Sequence, residues 1–142
     1  MEIIMSEKVS IGILAVQGAF AEHQVMLDGL GADTFLIRQK KDLEEAVQNG
    51  RLQGIVLPGG ESTVQGKLLR DLGMYDQLKE LIEAGTPVLA TCAGLILLAE
   101  RVSNDDRAYL KTLPVSVKRN AYGRQLGSFV TDAEITHVGT YR

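Results

Sequence analysis

Pro87-Val88-Leu89-Ala90-Thr91-Cys92-Ala93-Gly94-Leu95-Ile96-Leu97-Leu98 sets two apolar runs end to end, with the small polar pair Thr91-Cys92 at the joint. The first run has the length of a strand, and the second is compatible with a helix. A strand that turns sharply into a helix lifts its turn residue to the carboxyl edge of a sheet. There the residue faces the positive end of the new helix, which favours an anion such as a thiolate. Cys92 is the only cysteine in the chain. Its place is the cysteine counterpart of a serine nucleophile elbow. Two readings stand side by side. A lone cysteine is often a small buried hydrophobe. At such an elbow it is a nucleophile, with the N–H of Ala93 aimed where an oxyanion develops.

The pattern on either side of this joint repeats it. Val9 to Val16 is an apolar, branched run that fits a strand buried on both faces. Ala21, Val25, Met26 and Leu30 follow at near-helical spacing, with Gly31 as the stop. Asp33 to Ile37 reads as a strand. Asp42, with Glu45 three residues on, reads as an N-cap, and that helix stops at Asn49-Gly50. Gly54 to Leu57 is a third strand, ended by the turn Pro58 to Thr63. Leu68 to Leu72 and Tyr75 to Ala84 read as helical, and Leu95 to Val102 continues as a helix after Cys92. Strands alternating with helices predict an α/β fold: three layers, a mostly parallel sheet, and helices on both faces. Ligands in such folds bind beyond the carboxyl ends of the strands. Gln17-Gly18, Gly59 to Thr63 and Cys92-Ala93-Gly94 all fall on that edge.

Beyond Asp106 the pattern changes. Leu113 to Val117 and Leu126 to Thr131 read as strands of a hairpin-like excursion carrying Arg119, Tyr122 and Arg124. Ala133 to Arg142 has weak periodicity and no cap, so the C-terminal part reads as incomplete. The 142 residues are enough for one domain, taken as 1–142. Hydrophobic content of 45% and charged content of 23% are those of a globular chain. A net charge of −3 implies no general pull toward nucleic acid. No apolar run is long enough to span a membrane. A single cysteine suits a reducing, cytoplasmic setting.

Three further groups invite chemistry. Gly59-Gly60-Glu61-Ser62 is either a plain turn capped by Ser62 or Thr63, or a place where backbone approaches a substrate and Glu61 and Ser62 bind its polar head. Arg119 and Arg124 are solvated, or they meet a substrate carboxylate in a bidentate pairing. A cysteine nucleophile needs a base within hydrogen-bond reach. The histidines are His23, expected at the surface of the first helix, and His137, in the weakly patterned tail. The His and Cys content gives no metal site.

Taken together, Leu14 to Ala19, Leu57 to Thr63, Thr91 to Ala99 and Arg119 to Gln125 resemble the glutaminase subunit of the two-protein pyridoxal 5'-phosphate synthase, a class I glutamine amidotransferase family. The likeness covers about Ile11 to Phe129. It implies a flavodoxin-like, class I amidotransferase fold. It implies that Cys92 attacks the carboxamide of L-glutamine, that Gly60, Glu61, Ser62 and Arg119 bind that substrate, and that the backbone of Gly59 and Ala93 forms the oxyanion hole. Gln17 matches a turn near the synthase interface. The family needs no cofactor for this step and passes ammonia to a (β/α)8-barrel synthase subunit. Two departures stand out. Ala90 replaces a usual glycine, and the family's His-Pro-Glu segment, which supplies the catalytic histidine and its orienting glutamate, is absent from this sequence. The expectation is therefore a glutaminase with an incomplete triad. The alternative is a truncated form that only docks on the synthase and regulates it. A reactive-cysteine stress protein is a third reading, but it leaves Gly60 to Ser62 and Arg119 without a role.

Overall fold

The computed structural model describes residues 8–123 and 129–142. Arg124 and the first part of the strand expected over 126–131 lie outside them. Four strands form a parallel sheet: β1 (Ser10–Leu14), β2 (Asp33–Ile37), β3 (Gly54–Leu57) and β4 (Val88–Ala90), in the order β2-β1-β3-β4. The helices are α1 (Phe20–Gly29), α2 (Lys40–Gln48), α3 (Ser62–Asp71), α4 (Tyr75–Glu83) and α5 (Ala93–Leu98). From β1 the chain steps to β2 on one side, then returns across β1 to β3 on the other. With right-handed crossovers, this reversal places α1 on one face of the sheet and α2, α3 and α4 on the opposite face. The α/β expectation with helices on both faces holds.

The two faces are filled differently. All four residues of β3 are buried, as a central parallel strand requires. Ile55 and Leu57 of β3 join Leu43, Leu69, Leu78 and Leu97 of the helices in one core cluster. Ile13 and Val56 are register neighbours on the other face and are also buried. Leu89, next in line on that face, is 52% exposed.

Helix α1 lies against β1 and β2, yet it has no buried residue. Its half-buried positions are Phe20, His23, Gln24 and Leu27. The stripe of Val25, Met26 and Leu30 points to solvent. A mixed polar face is thus turned to the sheet and an apolar one is turned away.

Helix boundaries differ from the sequence reading for local reasons. Asp42 is not the N-cap of α2. It stands inside the first turn and accepts from the backbone N–H of Arg38 and of the true cap, Gln39, at 2.9 and 3.2 Å. Helix α3 starts at Ser62 because Glu61, in extended conformation, caps it by accepting from the Thr63 N–H at 3.0 Å. Neither Ser62 nor Thr63 is the cap. Helix α5 ends at Leu98 rather than Val102. The N–H groups of Leu110 and Thr112 take the carbonyls of Leu97 and Leu98, at 2.9 and 3.0 Å, and so end the helix. Ala99–Val102 becomes a strand, β5, paired in parallel with β6 (Leu113–Val117). The hairpin expected for β6 is not seen among the described residues, since 129–131 have no strand structure. The tail instead folds into an exposed antiparallel pair, β7 (Ala133–Ile135) and β8 (Gly139–Tyr141). Among the described residues, no helix is long and apolar enough to cross a membrane.

The asymmetry between core and α1 is measurable. Leu97→Ala empties a site that is 0% exposed and should lower stability by about 2–5 kcal/mol in a urea titration. Met26→Ala, at 65% exposure, should change it by no more than about 0.5 kcal/mol.

Candidate active site

The reversal of strand order lies between β1 and β3, so the crevice of the fold opens at their carboxyl ends. Gln17 follows β1 and joins the two turns. Its Oε1 accepts the Glu61 N–H at 2.9 Å, and its carbonyl accepts from the Gln65 side chain at 3.2 Å. Gln65, wholly buried, donates from the same amide nitrogen to the Pro58 carbonyl at 3.2 Å. These bonds leave no room for side chains. A Cβ on Gly60 would stand 2.5 Å from the Gln17 Oε1, and one on Gly18 would stand 2.1 Å from the Gly59 carbonyl oxygen.

The elbow sits beside this turn. Thr91 donates its N–H to the Leu57 carbonyl at 3.1 Å, which fixes the end of β4 to the end of β3. Cys92 then adopts φ 50° and ψ −111°, a left-handed φ that is costly for a residue bearing a Cβ. Its carbonyl receives the Leu95 and Ile96 N–H groups at 3.0 and 3.2 Å, so α5 begins at once. Cys92 is exposed, whereas Ala93 is 1% exposed. As first residue of α5, Ala93 has a backbone N–H without a partner inside the helix. A Cβ placed on Gly59 would meet the Cys92 Cβ at 3.4 Å, so the Gly-Gly turn and the thiol are neighbours.

Arg119 arrives from β6 and closes the far side. Its backbone is gripped by Asn104, which accepts from the Arg119 N–H at 2.9 Å and donates to its carbonyl at 2.7 Å. Its guanidinium donates to Asp105 Oδ2 at 3.2 Å and to Glu61 Oε1 at 3.1 Å. A guanidinium carries five N–H donors in a fork, so these two bonds leave donors for a further carboxylate. Glu61 Oε1 also accepts from the Thr63 hydroxyl at 2.6 Å. That hydroxyl and then the Thr63 N–H hold the Glu61 carboxyl below its ordinary range against the opposing effect of burial, and Arg119 adds to the lowering more weakly. Asp105 lies well below the usual carboxylate range, mainly because the Arg107 side chain and N–H bind it, with Arg119 adding to this. The same pairing raises Arg107.

The structure thus brings Cys92, Gly59, Gly60, Glu61 and Arg119 into one connected edge. Ser62 is less open than expected: it is 2% exposed, and its hydroxyl has no hydrogen-bond partner among the described residues. His137 stands at φ 65° in the exposed β7–β8 turn and makes no hydrogen bond to Cys92. His23 is half-buried rather than at the surface, and its ring bonds Thr91, not Cys92. Sequence reading missed Gln65, Asn104, Asp105 and Arg107. Only Gln65 left a signal, as a polar residue on the inward side of α3. Among the described residues, no group of three or more His, Cys, Asp or Glu side chains is placed to hold a metal ion.

The chain is similar to known proteins over most of its length. A family profile described as the SNO glutamine amidotransferase family matches residues 13–141. The pyridoxal 5'-phosphate synthase subunit PdxT of Desulfitobacterium hafniense (strain DSM 10664 / DCB-2) is 57% identical over 129 residues, 91% of this chain and 62% of that relative. The PdxT of Bifidobacterium adolescentis is 54% identical over 123 residues, 87% of this chain and 57% of that relative. A solved structure described as a crystal structure of glutamine amidotransferase superposes with a TM-score of 0.75 at 39% identity, covering 92% of this chain and 67% of that one. The chain therefore spans about three fifths of the length of the curated relatives it matches. The family match also runs past Phe129, where sequence reading ended the resemblance.

The carboxyl of Glu61 gives a direct check on the cradle. A depressed carboxyl contributes stability above its ordinary range, and that contribution is lost as pH falls through the folded value. Carbon-13 NMR should therefore place the Glu61 midpoint below that of a free glutamate. Thr63→Val, which removes the largest cause, should move the midpoint upward and bring the acid loss of the Arg119 pairing to higher pH.

Proposed function

The chain belongs to the SNO glutamine amidotransferase family, and we propose that it binds L-glutamine at the Cys92 elbow, hydrolyses the carboxamide to glutamate and ammonia, and delivers the ammonia to the (β/α)8-barrel subunit of pyridoxal 5'-phosphate synthase. The observation that carries this reading is the exposed thiol at positive φ, next to a Gly-Gly turn whose following glutamate is tied to a partly open arginine. The α-carboxylate of glutamine pairs with the free donors of Arg119. The α-amino group lies against Glu61, whose second oxygen is not used in the internal bonds. Ser62 is buried, so its hydroxyl, without a partner among the described residues, would have to turn outward to join the same cradle.

With the head group held there, the side-chain amide extends toward Cys92. The sulfur attacks the amide carbon, and a tetrahedral oxyanion forms. The Ala93 N–H and the Gly59–Gly60 backbone stabilise it from fixed positions, so no reorganisation is needed as the charge develops. The C–N bond breaks, the leaving nitrogen takes the proton given up by the thiol and departs as ammonia, and a thioester remains on Cys92. Water then releases glutamate. Protonating the leaving group calls for a positioned acid and activating water for a base, roles one side chain can fill in turn, and such catalysis is worth roughly 10²–10⁴-fold. Among the described residues, no histidine is hydrogen-bonded to Cys92. Family membership favours hydrolysis over a role confined to docking. The chemistry itself needs no cofactor. Residues 1–142 act as one domain in this reading, in the reducing cytoplasm that a lone free cysteine suits.

Ammonia release from L-glutamine, measured with a barrel subunit from one of the PdxT-bearing relatives, tests the reading. Cys92→Ala should abolish release. Arg119→Ala should raise the KM for glutamine by roughly tenfold to a hundredfold, the range for losing a hydrogen bond to a charged group. Glutamine should also protect Cys92 from alkylation. Release no greater than that of Cys92→Ala, with no such protection, would refute a glutamine site.

A further inference from the structure

His23 is a half-buried side chain that the proposed reaction does not use, although it reaches the elbow. Its Nε2 and the Thr91 Oγ1 share a hydrogen bond of 3.1 Å across 68 positions of sequence. Thr91 is the residue before the nucleophile. Its N–H donates to the Leu57 carbonyl at 3.1 Å, and its carbonyl accepts the Gly94 N–H at 2.9 Å. With His23 on its hydroxyl, Thr91 is held from β3, from α5 and from α1. The segment leading into α1 also touches the other neighbour of the thiol, because the Ala19 N–H donates to the Gly59 carbonyl at 2.9 Å.

This clamp falls where the backbone most needs one. Cys92 stands at φ 50°, a conformation that persists in a non-glycine residue only when its surroundings over-determine it. On the C-terminal side, packing does this: Ala93 is buried, and Gly94 sits so close that a Cβ there would be 2.1 Å from the Leu57 oxygen. On the N-terminal side, the work falls to the bonds of Thr91, and the one made by a side chain comes from His23. The pairing also gives a role to a polar residue on the inner face of α1, a helix with no buried residue.

We propose that His23 is a positioning residue for Cys92: by fixing the Thr91 hydroxyl it holds the elbow in the conformation that presents the thiol. It does not touch the sulfur and moves no proton. The inference rests on Cys92 being the nucleophile and requires no particular substrate.

The test is the second-order rate of alkylation of Cys92 by iodoacetamide in the full chain, at one fixed pH. His23→Ala and Thr91→Val should each react about three- to tenfold more slowly, the range expected for one lost hydrogen bond. His23→Gln, which keeps a donor at similar reach, should recover most of the rate. The double variant His23→Ala/Thr91→Val should be no slower than the slower single variant, because both remove the same bond. Multiplying effects would overturn the proposal, as would an unchanged rate in either single variant. Thr91→Val changes only a hydroxyl for a methyl, so it decides the matter even if His23→Ala fails to fold. In the hydrolysis assay, His23→Ala should lower kcat by the same factor and leave the KM for glutamine unchanged. A raised KM with unaltered alkylation would place its effect in the cradle and overturn the proposal. A chain that alkylates as expected but releases no ammonia would refute glutamine hydrolysis and leave the role of His23 standing.

Discussion

The seating of Gly94 against the Leu57 carbonyl is the constraint on which the site depends. A methyl group at 94 would collide with that oxygen at 2.1 Å. Because glycine has none, α5 can start directly over the end of β3, and Thr91 can bond the same carbonyl. These two facts give Cys92 almost no choice of backbone conformation. They also bring the thiol beside Gly59, so strand, turn and helix meet within one side chain's reach. The hydrophobic core under them supports this arrangement, with Leu57 and Leu97 both wholly buried. Core packing and the geometry of the thiol are thus one structural problem.

On the other side of the crevice the organising groups are polar. Gln17 and Gln65 bind the two turns through their amides, and Arg119 links Glu61 to Asp105. An amide both donates and accepts, so a buried glutamine can join two backbone turns without bringing a charge into the interior. Arginine does the comparable task where charge is useful. Its planar fork holds two carboxylates in place and still presents donors outward. Asn104 fixes the backbone of that arginine, so its reach is set by the β5–β6 loop rather than by side-chain flexibility.

Much of this was legible in the chain. β2, β3 and β6 fall where branched apolar runs put them, and Thr91-Cys92-Ala93-Gly94 shows its elbow by the abrupt change of pattern. The reading failed where tertiary contacts decide. The residues of β5 have a helix-compatible sequence, but the N–H groups of Leu110 and Thr112 end the helix before them. Glu61 caps α3 although serine and threonine beside it are the commoner choices, because its carboxylate can reach Thr63 and Arg119 together. The stripe of Val25 and Met26 has helical spacing, but spacing does not say which side of a helix meets the sheet. Partners of Arg119 come from loops without periodicity, and nothing in the sequence marks Asn104 or Asp105 as its neighbours.

The left-handed backbone of Cys92 has a further consequence. A residue at such a φ works against its own Cβ, and the strain is of order 1–3 kcal/mol. Glycine would remove that strain, so the fold alone favours glycine at 92. A cysteine at 92 is therefore held there against the preference of the backbone. A chain of this fold that made no use of the thiol would gain stability by replacing the cysteine with glycine. The identity of residue 92 therefore reports, by itself, whether a member of this fold still depends on its thiol.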